Sequence, residues 1–167
     1  LWHGDPARAD RASLPHQPWM DDPAWDAMHG YLHVAGSYVH LHENLLDLSH
    51  LSFLHATTFG TPEYARAPVE TITDAGRLEV WRQVECRLPP IYARPLGWEG
   101  MRALRRSGSQ FVSPGLHVNT GEFHNLDDPT RTGDPAPTVK FAQVITPETA
   151  HATHYWSLQA RNFARGD

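Results

Sequence analysis

A short segment at residues 43–55 combines side chains that bind transition metals. It reads Glu-Asn-Leu-Leu-Asp-Leu-Ser-His-Leu-Ser-Phe-Leu-His and places His50 and His55 among six large apolar residues. Two neutral imidazoles a few residues apart are good ligands for iron, zinc, copper or nickel. Asp47 lies three positions before His50, and Asn44 three positions before Asp47, so a helix would align them in one polar stripe. A core helix needs no such stripe, which therefore indicates a metal-dependent site.

The spacing of the two histidines restricts how they could share a metal ion. Five positions correspond to about 140° around an ideal helix. His50 and His55 could therefore bind one ion only if the helix bulged locally or ended between them. A zinc-protease motif needs a four-position spacing and a glutamate, so that class is excluded. The alternative, which spacing alone leaves open, is that both side chains are simply packed histidines.

Composition excludes several other classes of protein. The 167 residues suit one domain, and a formal net charge of −5 gives no broad attraction to nucleic acid or anionic lipid. No apolar run approaches the ~20 residues of a membrane helix. The single cysteine, Cys86, excludes an internal disulfide. We therefore expect a cytoplasmic protein that binds neither nucleic acid nor membrane. Because the first residue is Leu1 and not methionine, we also expect an excerpt of a longer chain.

The periodicity of the chain predicts an α+β fold with a mainly antiparallel sheet. Residues 1–26 predict an irregular lead-in, residues 43–56 the helix that carries the histidines, and residues 98–106 a second short helix. Period-two patterns and turn residues predict the strands. The strands are expected at residues 30–42, 69–73, 77–87, 110–123, 138–145 and 149–163. Bends are expected at Gly36 in the first strand and at Pro114-Gly115 in the fourth. The last two strands are expected to be joined around Thr146-Pro147-Glu148, and residues 125–137 are expected to form a loop.

Three segments of the sequence resemble one enzyme family. The motif Asn44-Leu-Leu-Asp47-Leu-Ser-His50-x4-His55 resembles the mononuclear-iron motif of Rieske non-haem iron oxygenases, in the branch that contains vanillate and dicamba O-demethylase oxygenase components. Residues 1–10 are similar to the segment that leaves the Rieske domain in that branch. Residues 146–163 are similar to a late strand of its catalytic domain. The resemblance thus extends from end to end and implies a helix-grip fold, a curved antiparallel sheet around a substrate cavity with an iron-bearing helix.

The resemblance implies roles for the residues of the motif. His50 and His55 would be ligands of a mononuclear Fe(II). Asp47 would connect this iron, through hydrogen bonds, to a histidine on the Rieske [2Fe–2S] cluster of a neighbouring subunit, and Asn44 would support the helix. The aspartate that completes the facial triad would lie beyond residue 167, and the cluster would lie in a missing N-terminal domain. Residues 1–26 would then be the lead-in from that domain, and residues 27–167 a partial catalytic domain.

The resemblance also implies a reaction and its partners. The protein would be the terminal oxygenase of an aromatic monooxygenase that uses O2 to hydroxylate or O-demethylate a vanillate-like substrate. Electrons would come from NAD(P)H through a reductase or ferredoxin, and the subunits would form a homotrimer. His117, Asn119 and Gln143 would face the substrate, although alternate residues of a one-sided sheet can equally face solvent. The alternative function is a non-enzymatic helix-grip module that binds a small apolar ligand.

Overall fold

One antiparallel sheet of seven strands organises the chain, of which the computed structural model describes residues 4–74 and 77–166. The strand order across the sheet is β1-β7-β6-β5-β4-β3-β2. The strands are β1 (Asp26–Val34), β2 (Glu70–Asp74), β3 (Arg77–Arg87), β4 (Arg102–Ser113), β5 (Leu116–Asn125), β6 (Thr138–Thr149) and β7 (Ala152–Arg161). The α-helices described are α1 (Tyr38–Leu46) and α2 (Pro90–Leu96), and short 3-10 helices lie at Pro6–Arg8, Arg11–Ser13, Pro18–Met20, Leu48–Ser52, Pro62–Arg66 and Pro129–Arg131. The expected α+β class is confirmed.

The strand predicted over residues 30–42 is wrong in its second half. β1 begins at Asp26 and ends at Val34, and α1 begins at Tyr38. The side chain of Ser37 accepts a hydrogen bond from the backbone N–H of Val39 and so caps the helix. The residues at the start of α1 favour strands, but they form a helix here. One face of the helix packs on the sheet, and this tertiary packing overrides the local propensity.

The helix predicted over residues 43–56 is also differently placed. α1 ends at Leu46, and Asp47 then caps a separate 3-10 helix, Leu48–Ser52. The Asp47 carboxylate accepts a hydrogen bond from the backbone N–H of Ser49, which satisfies one of the free donors at the start of that helix. The histidine segment is therefore a broken helix with a change of direction at Asp47.

The helix predicted over residues 98–106 is wrong, because β4 occupies most of that range. Helix α2 lies earlier and starts at Pro90, a residue suited to the first turn, and Gly97 ends it in a left-handed conformation with φ 64°. In β4, the buried residues Ala103 and Arg105 alternate with more exposed neighbours. Hydrogen-bonded strands on both sides of β4 stabilise this period-two arrangement.

The remaining turns lie near the proline and glycine residues that predicted them, but two of them differ from the prediction. The pair predicted at 69–73 and 77–87 forms the β2–β3 hairpin; its tip, residues 75–76, lies outside the described residues, as do residues 1–3. Pro114-Gly115 is a hairpin turn between β4 and β5 rather than a bend in one strand. The turn between β6 and β7 lies after Thr149, not at 146–148. None of the helices described is long and apolar enough to cross a membrane.

The sheet packs on both of its faces. On one face, the segment after α1 contributes Leu48 and Leu51 to a buried cluster with Tyr64 and Phe123. On the other face, the irregular lead-in places Trp19 over β5, β6 and β7, where its buried neighbours are Leu116, Val118, Ala142 and Ala160. The end of the lead-in around Trp19 is thus packed against this face of the sheet, and the face that carries α1 is left to form a cavity.

Candidate metal centre

The end of α1 at Asp47 sets the orientation of His50. The Nδ1–H of His50 donates to the backbone carbonyl of Asp47, in a close contact within one turn of chain. That hydrogen bond fixes the tautomer in which Nε2 carries the lone pair. His50 therefore presents a nitrogen suited to metal ligation, held by the same residue that caps the 3-10 helix.

His55 lies beside His50 although five positions separate them in sequence. The 3-10 helix ends at Ser52, between the two histidines, and their ring centroids are 5.2 Å apart. The helix therefore ends between the two histidines, which is one of the two conditions under which they could share a metal ion. His55 stacks on Phe59 with 4.2 Å between ring centroids. Burial lowers the pKa of His55, and the neighbouring His50 lowers it further, so this imidazole is neutral and available as a ligand at neutral pH.

The backbone around His55 is tightly packed. The N–H of Gly60 donates to the carbonyl oxygen of His55 at 2.8 Å. A Cβ on Gly60 would lie 1.8 Å from the carbonyl oxygen of Leu51 and 2.8 Å from that of His55. Only glycine fits here without a backbone shift, so Gly60 holds the turn that brings His55 back toward His50.

A cavity of about 360 Å³ lies between the histidine segment and the sheet. Five of the predicted site residues line it: Asn44, His50, His55, Asn119 and Gln143. The rest of its wall is largely apolar and aromatic, with Leu45, Leu48, Leu51, Phe59, Ile91, Tyr92, Val139, Phe141 and Tyr155 among its residues. Within the described part of the chain, no acidic residue lines this cavity. Among the described residues, the site thus supplies two imidazoles and three side-chain amides but no carboxylate.

Asp47 lies outside the cavity, exposed beside His50. Its carboxylate accepts hydrogen bonds from the backbone N–H and the hydroxyl of Ser49. The hydroxyl bond, above all, lowers the pKa of Asp47, so the carboxylate is ionised at neutral pH. This carboxylate does not receive the N–H of His50. In the structure the Asp47 backbone carbonyl receives it instead.

His117 does not line the cavity and lies fully buried behind it. The carbonyl of Pro114 can only accept, so His42 donates to it through Nε2–H at 3.1 Å. Nδ1 of His42 lies 3.3 Å from Nδ1 of His117. His117 Nε2 lies 2.6 Å from the Ser109 hydroxyl, which also lies 2.5 Å from the carbonyl oxygen of Leu45 in α1. His117 thus joins the helix to the sheet rather than contacting a ligand.

Asn119 and Gln143 carry this buried network to the cavity. Asn119 donates through Nδ2 to the Ser109 hydroxyl at 2.9 Å, and its side-chain amide lies 2.8 Å from that of Gln143. Both amides are therefore held in place from behind while they face the cavity. Of the three expected substrate residues, the structure brings Asn119 and Gln143 together and moves His117 to the layer beneath them.

Sequence reasoning missed Arg105, a buried arginine in the cavity wall. Its guanidinium donates to the carbonyl of Phe59 at 2.7 Å and lies over the rings of Tyr64 and Tyr92, 5.0 and 5.3 Å from their centroids. Its Nε has no hydrogen-bond partner, and no carboxylate within the described ranges pairs with it. The alternation of residues in β4 is the signal that points Arg105 inward, and the helix predicted over residues 98–106 conceals it.

Comparison with known proteins identifies the family of the chain. A family model described as "Vanillate O-demethylase oxygenase C-terminal domain" matches residues 34–167. The chain belongs to this family. It is 34% identical over 179 residues to "Toluene-4-sulfonate monooxygenase system iron-sulfur subunit TsaM1" of Comamonas testosteroni, with 100% of this chain and 50% of that protein covered. It is 33% identical over 177 residues to the "Vanillate O-demethylase oxygenase subunit" of a Pseudomonas strain, with 100% and 53% covered.

A solved structure shows the same fold. The crystal structure of dicamba monooxygenase bound to 3,6-dichlorosalicylic acid matches with a TM-score of 0.86 at 25% identity, covering 97% of this chain and 47% of that one. The chain therefore spans about half the length of the curated and solved relatives that it matches. The fold and the family of this half are those of an oxygenase catalytic domain.

The buried position of His117 predicts a pH-dependent loss of stability. Burial lowers the pKa of His117 from 6.5 to about 3, with His42 adding to the effect. The unfolded chain takes up this proton as pH falls through 6.5 and the folded chain does not, so stability falls below that pH. We expect a loss of roughly 3 kcal/mol between pH 6.5 and pH 4 from this residue. The measurement is urea unfolding across this range, followed by tryptophan fluorescence.

The variant His117→Gln separates this effect from other titrations. It keeps a hydrogen-bonding side chain but removes the titrating ring, so the free energy of unfolding should depend less steeply on pH than in the wild type. The exposed His40→Gln on α1 is the matched control and should keep the wild-type slope. An unchanged slope in His117→Gln would show that the ring of His117 is not held neutral.

Proposed function

We propose that this chain is the mononuclear-iron part of the terminal oxygenase component of a Rieske-type aromatic monooxygenase. One observation carries the proposal: His50 and His55, which a break in the helix brings side by side, open into a cavity with aromatic walls and two fixed amides. A passive apolar pocket has no use for an oriented pair of imidazoles. The family of the chain favours the oxygenase over the binding module in the same way.

The donor set fits Fe(II) as two thirds of a facial triad. Two imidazoles and one carboxylate with open positions are typical of non-haem Fe(II) oxygenases. His50 Nε2 and the His55 ring provide the imidazoles, while the cavity wall formed by the described residues provides no carboxylate. We assign the third ligand to the part of the relatives' length that this chain does not span. An Fe(II) bound here supplies the activation of O2.

Asp47 is suited to connect the iron site to an external electron donor. It is exposed and ionised, and its own backbone carbonyl receives the His50 N–H. A group that docks on the surface at the Asp47 carboxylate would thus be connected to His50 through Asp47 alone. The toluene-4-sulfonate relative is named an iron-sulfur subunit. We propose that a [2Fe–2S] cluster of a neighbouring subunit docks at Asp47, in a homotrimer supplied with electrons from NAD(P)H by a reductase.

The cavity favours a substrate with an aromatic ring and an anionic group. Its aromatic and apolar wall suits the ring. Arg105 is a buried cation in that wall without a carboxylate partner among the described residues, and such a charge calls for an anion. Asn119 and Gln143 are fixed hydrogen-bonding groups in the same cavity wall. Relatives act on toluene-4-sulfonate and vanillate, both aromatic anions. We infer hydroxylation or O-demethylation of such an acid.

Iron content tests the assignment of the two histidines. We expect His50→Ala to lower the affinity for iron by more than the 10- to 100-fold that loss of an outer hydrogen-bond partner costs, because a ligand itself is removed. The measurement is iron per chain in the purified full-length protein after equilibration against a chelator. His40→Ala, an exposed histidine on α1, should bind iron as the wild type does. Equal iron content in His50→Ala would overturn the proposal.

Asp47→Asn should separate iron binding from electron supply. We expect this variant to keep its iron, because Asp47 lies outside the cavity, and to lose most of its turnover with the reductase. The matched control is Glu43→Gln, an exposed carboxylate on the same helix, which should keep both. Loss of iron from Asp47→Asn would instead make Asp47 a ligand and contradict the proposed relay.

Arg105→Met tests the substrate class. A charge-assisted hydrogen bond contributes about 1.5–3 kcal/mol, so we expect KM for a methoxybenzoate to rise roughly 10- to 100-fold. KM for the corresponding uncharged methyl ester should change much less. Arg105→Lys keeps the charge and should retain part of the preference, and exposed Arg102→Met is the control on the same strand. Equal loss for the acid and the ester would show that Arg105 has only a structural role.

A further inference from the structure

A cluster of three side chains lies on the sheet outside the cavity. His33 in β1 and His154 in β7 lie around Glu148 at the end of β6, and their ligand atoms all lie within 4.8 Å of one another. His33 Nε2 is 2.6 Å from Glu148 Oε2, and His154 Nε2 is 3.9 Å from the same oxygen. We call this group the edge cluster. We propose that the edge cluster binds a divalent transition-metal ion of the zinc type, separate from the iron site.

The strand register builds the edge cluster. His33 and His154 are direct partners in the antiparallel pairing of β1 with β7, so their side chains leave the same face of the sheet side by side. The pairing of β6 with β7 shifts register between Pro147 and Thr149. Glu148 is the residue left unpaired by that shift, and its side chain reaches over to the two imidazoles. A β-bulge of this kind commonly redirects a side chain.

The distances suit a small, tetrahedral ion. Zinc bonds of 2.0–2.2 Å to nitrogen and oxygen place tetrahedral ligand atoms about 3.4 Å apart. The separations of 2.6 and 3.9 Å lie on either side of that value. Small movements of these side chains therefore bring their ligand atoms to the tetrahedral distance. Two imidazoles and one carboxylate favour zinc, nickel or copper over calcium and magnesium, which take oxygen ligands. Water would fill the remaining position.

Tyr31 provides the outer support that metal-binding histidines usually have. Its hydroxyl lies 2.8 Å from His154 Nδ1. With Nε2 bound to a metal, Nδ1–H donates to the Tyr31 oxygen, which fixes the tautomer and the ring plane. Trp156 also stacks on the His154 ring, with 5.5 Å between the ring centroids and an interplanar angle of 28°. The orientation of His154 is thus set from two sides, although the cluster is exposed.

The edge cluster is independent of the iron cavity. Gln143 lines the cavity and pairs in register with Ser157, whereas Trp156, next to Ser157, belongs to the other face. His154 shares the face of Trp156. Among the strands that the structure describes, β1 is hydrogen-bonded to β7 alone, so it lies at one edge of the sheet. A metal that joins His33 to the β6–β7 hairpin would therefore secure that edge, a part of the sheet that proteins commonly protect.

Zinc titration of the full-length protein tests this site. The protein titrated carries no histidine tag and contains the substitutions His50→Ala and His55→Ala, so that zinc cannot occupy the iron site. This double variant is the background protein for all further substitutions. Binding is measured by competition with a chromophoric chelator, and far-UV circular dichroism checks the fold. We expect one zinc ion per chain and a higher thermal midpoint with zinc. Glu148→Gln or His154→Ala should weaken binding at least tenfold and abolish the thermal shift.

Matched variants distinguish a built site from chance binding by histidines. His29→Ala, an exposed histidine on β1, and His151→Ala, in the β6–β7 turn, should bind zinc as tightly as the background protein. Tyr31→Phe should weaken binding about tenfold, as loss of an outer partner does. Zinc affinity that Glu148→Gln and His154→Ala leave unchanged would overturn the proposal and leave His33 and Glu148 as an ordinary surface ion pair. So would binding lost equally in His29→Ala.

Discussion

The termination of α1 at Asp47 is the constraint on which the candidate site depends. A continuous helix would place His50 and His55 about 140° apart. The carboxylate of Asp47 caps the following 3-10 helix, while its carbonyl receives the His50 N–H, so one residue both breaks the helix and orients the first imidazole. The second break, after Ser52, returns the chain so that His55 stacks on Phe59 beside His50. Capping chemistry, rather than helix periodicity, creates the imidazole pair.

A buried polar network holds this broken helix against the sheet. The carbonyl of Leu45, near the end of α1, lies 2.5 Å from the Ser109 hydroxyl, which His117 and Asn119 also contact. Buried polar groups are costly unless they are paired, so a satisfied network of this kind specifies one arrangement of the helix on the strands. The same network positions Asn119 in the cavity wall. The position of the imidazole pair and that of the amides are therefore linked through Ser109.

The sequence predicted which residues line the cavity better than it predicted the helices and strands that carry them. The fold class and the β2–β3 hairpin follow from residue types and short spacings. The start of α1 at Tyr38 did not follow, because β-favouring residues fold there as a helix under tertiary packing and the Ser37 cap. Arg105 was hidden because a short run of mixed residues fits a helix or a strand equally. Burial of His117 depends on contacts with His42, 75 positions away, which no local pattern contains.

The location of bound iron shows whether His50 and His55 are ligands of one ion. Crystals of the full-length protein, loaded with Fe(II) and measured on both sides of the iron absorption edge, would give an anomalous difference map that shows iron alone. We expect one iron peak per chain within bonding distance of His50 Nε2 and of the His55 ring, facing Asn119 and Gln143 across the cavity. An iron-loaded crystal with no peak between these two imidazoles, or with iron bound only to other side chains, would contradict this assignment.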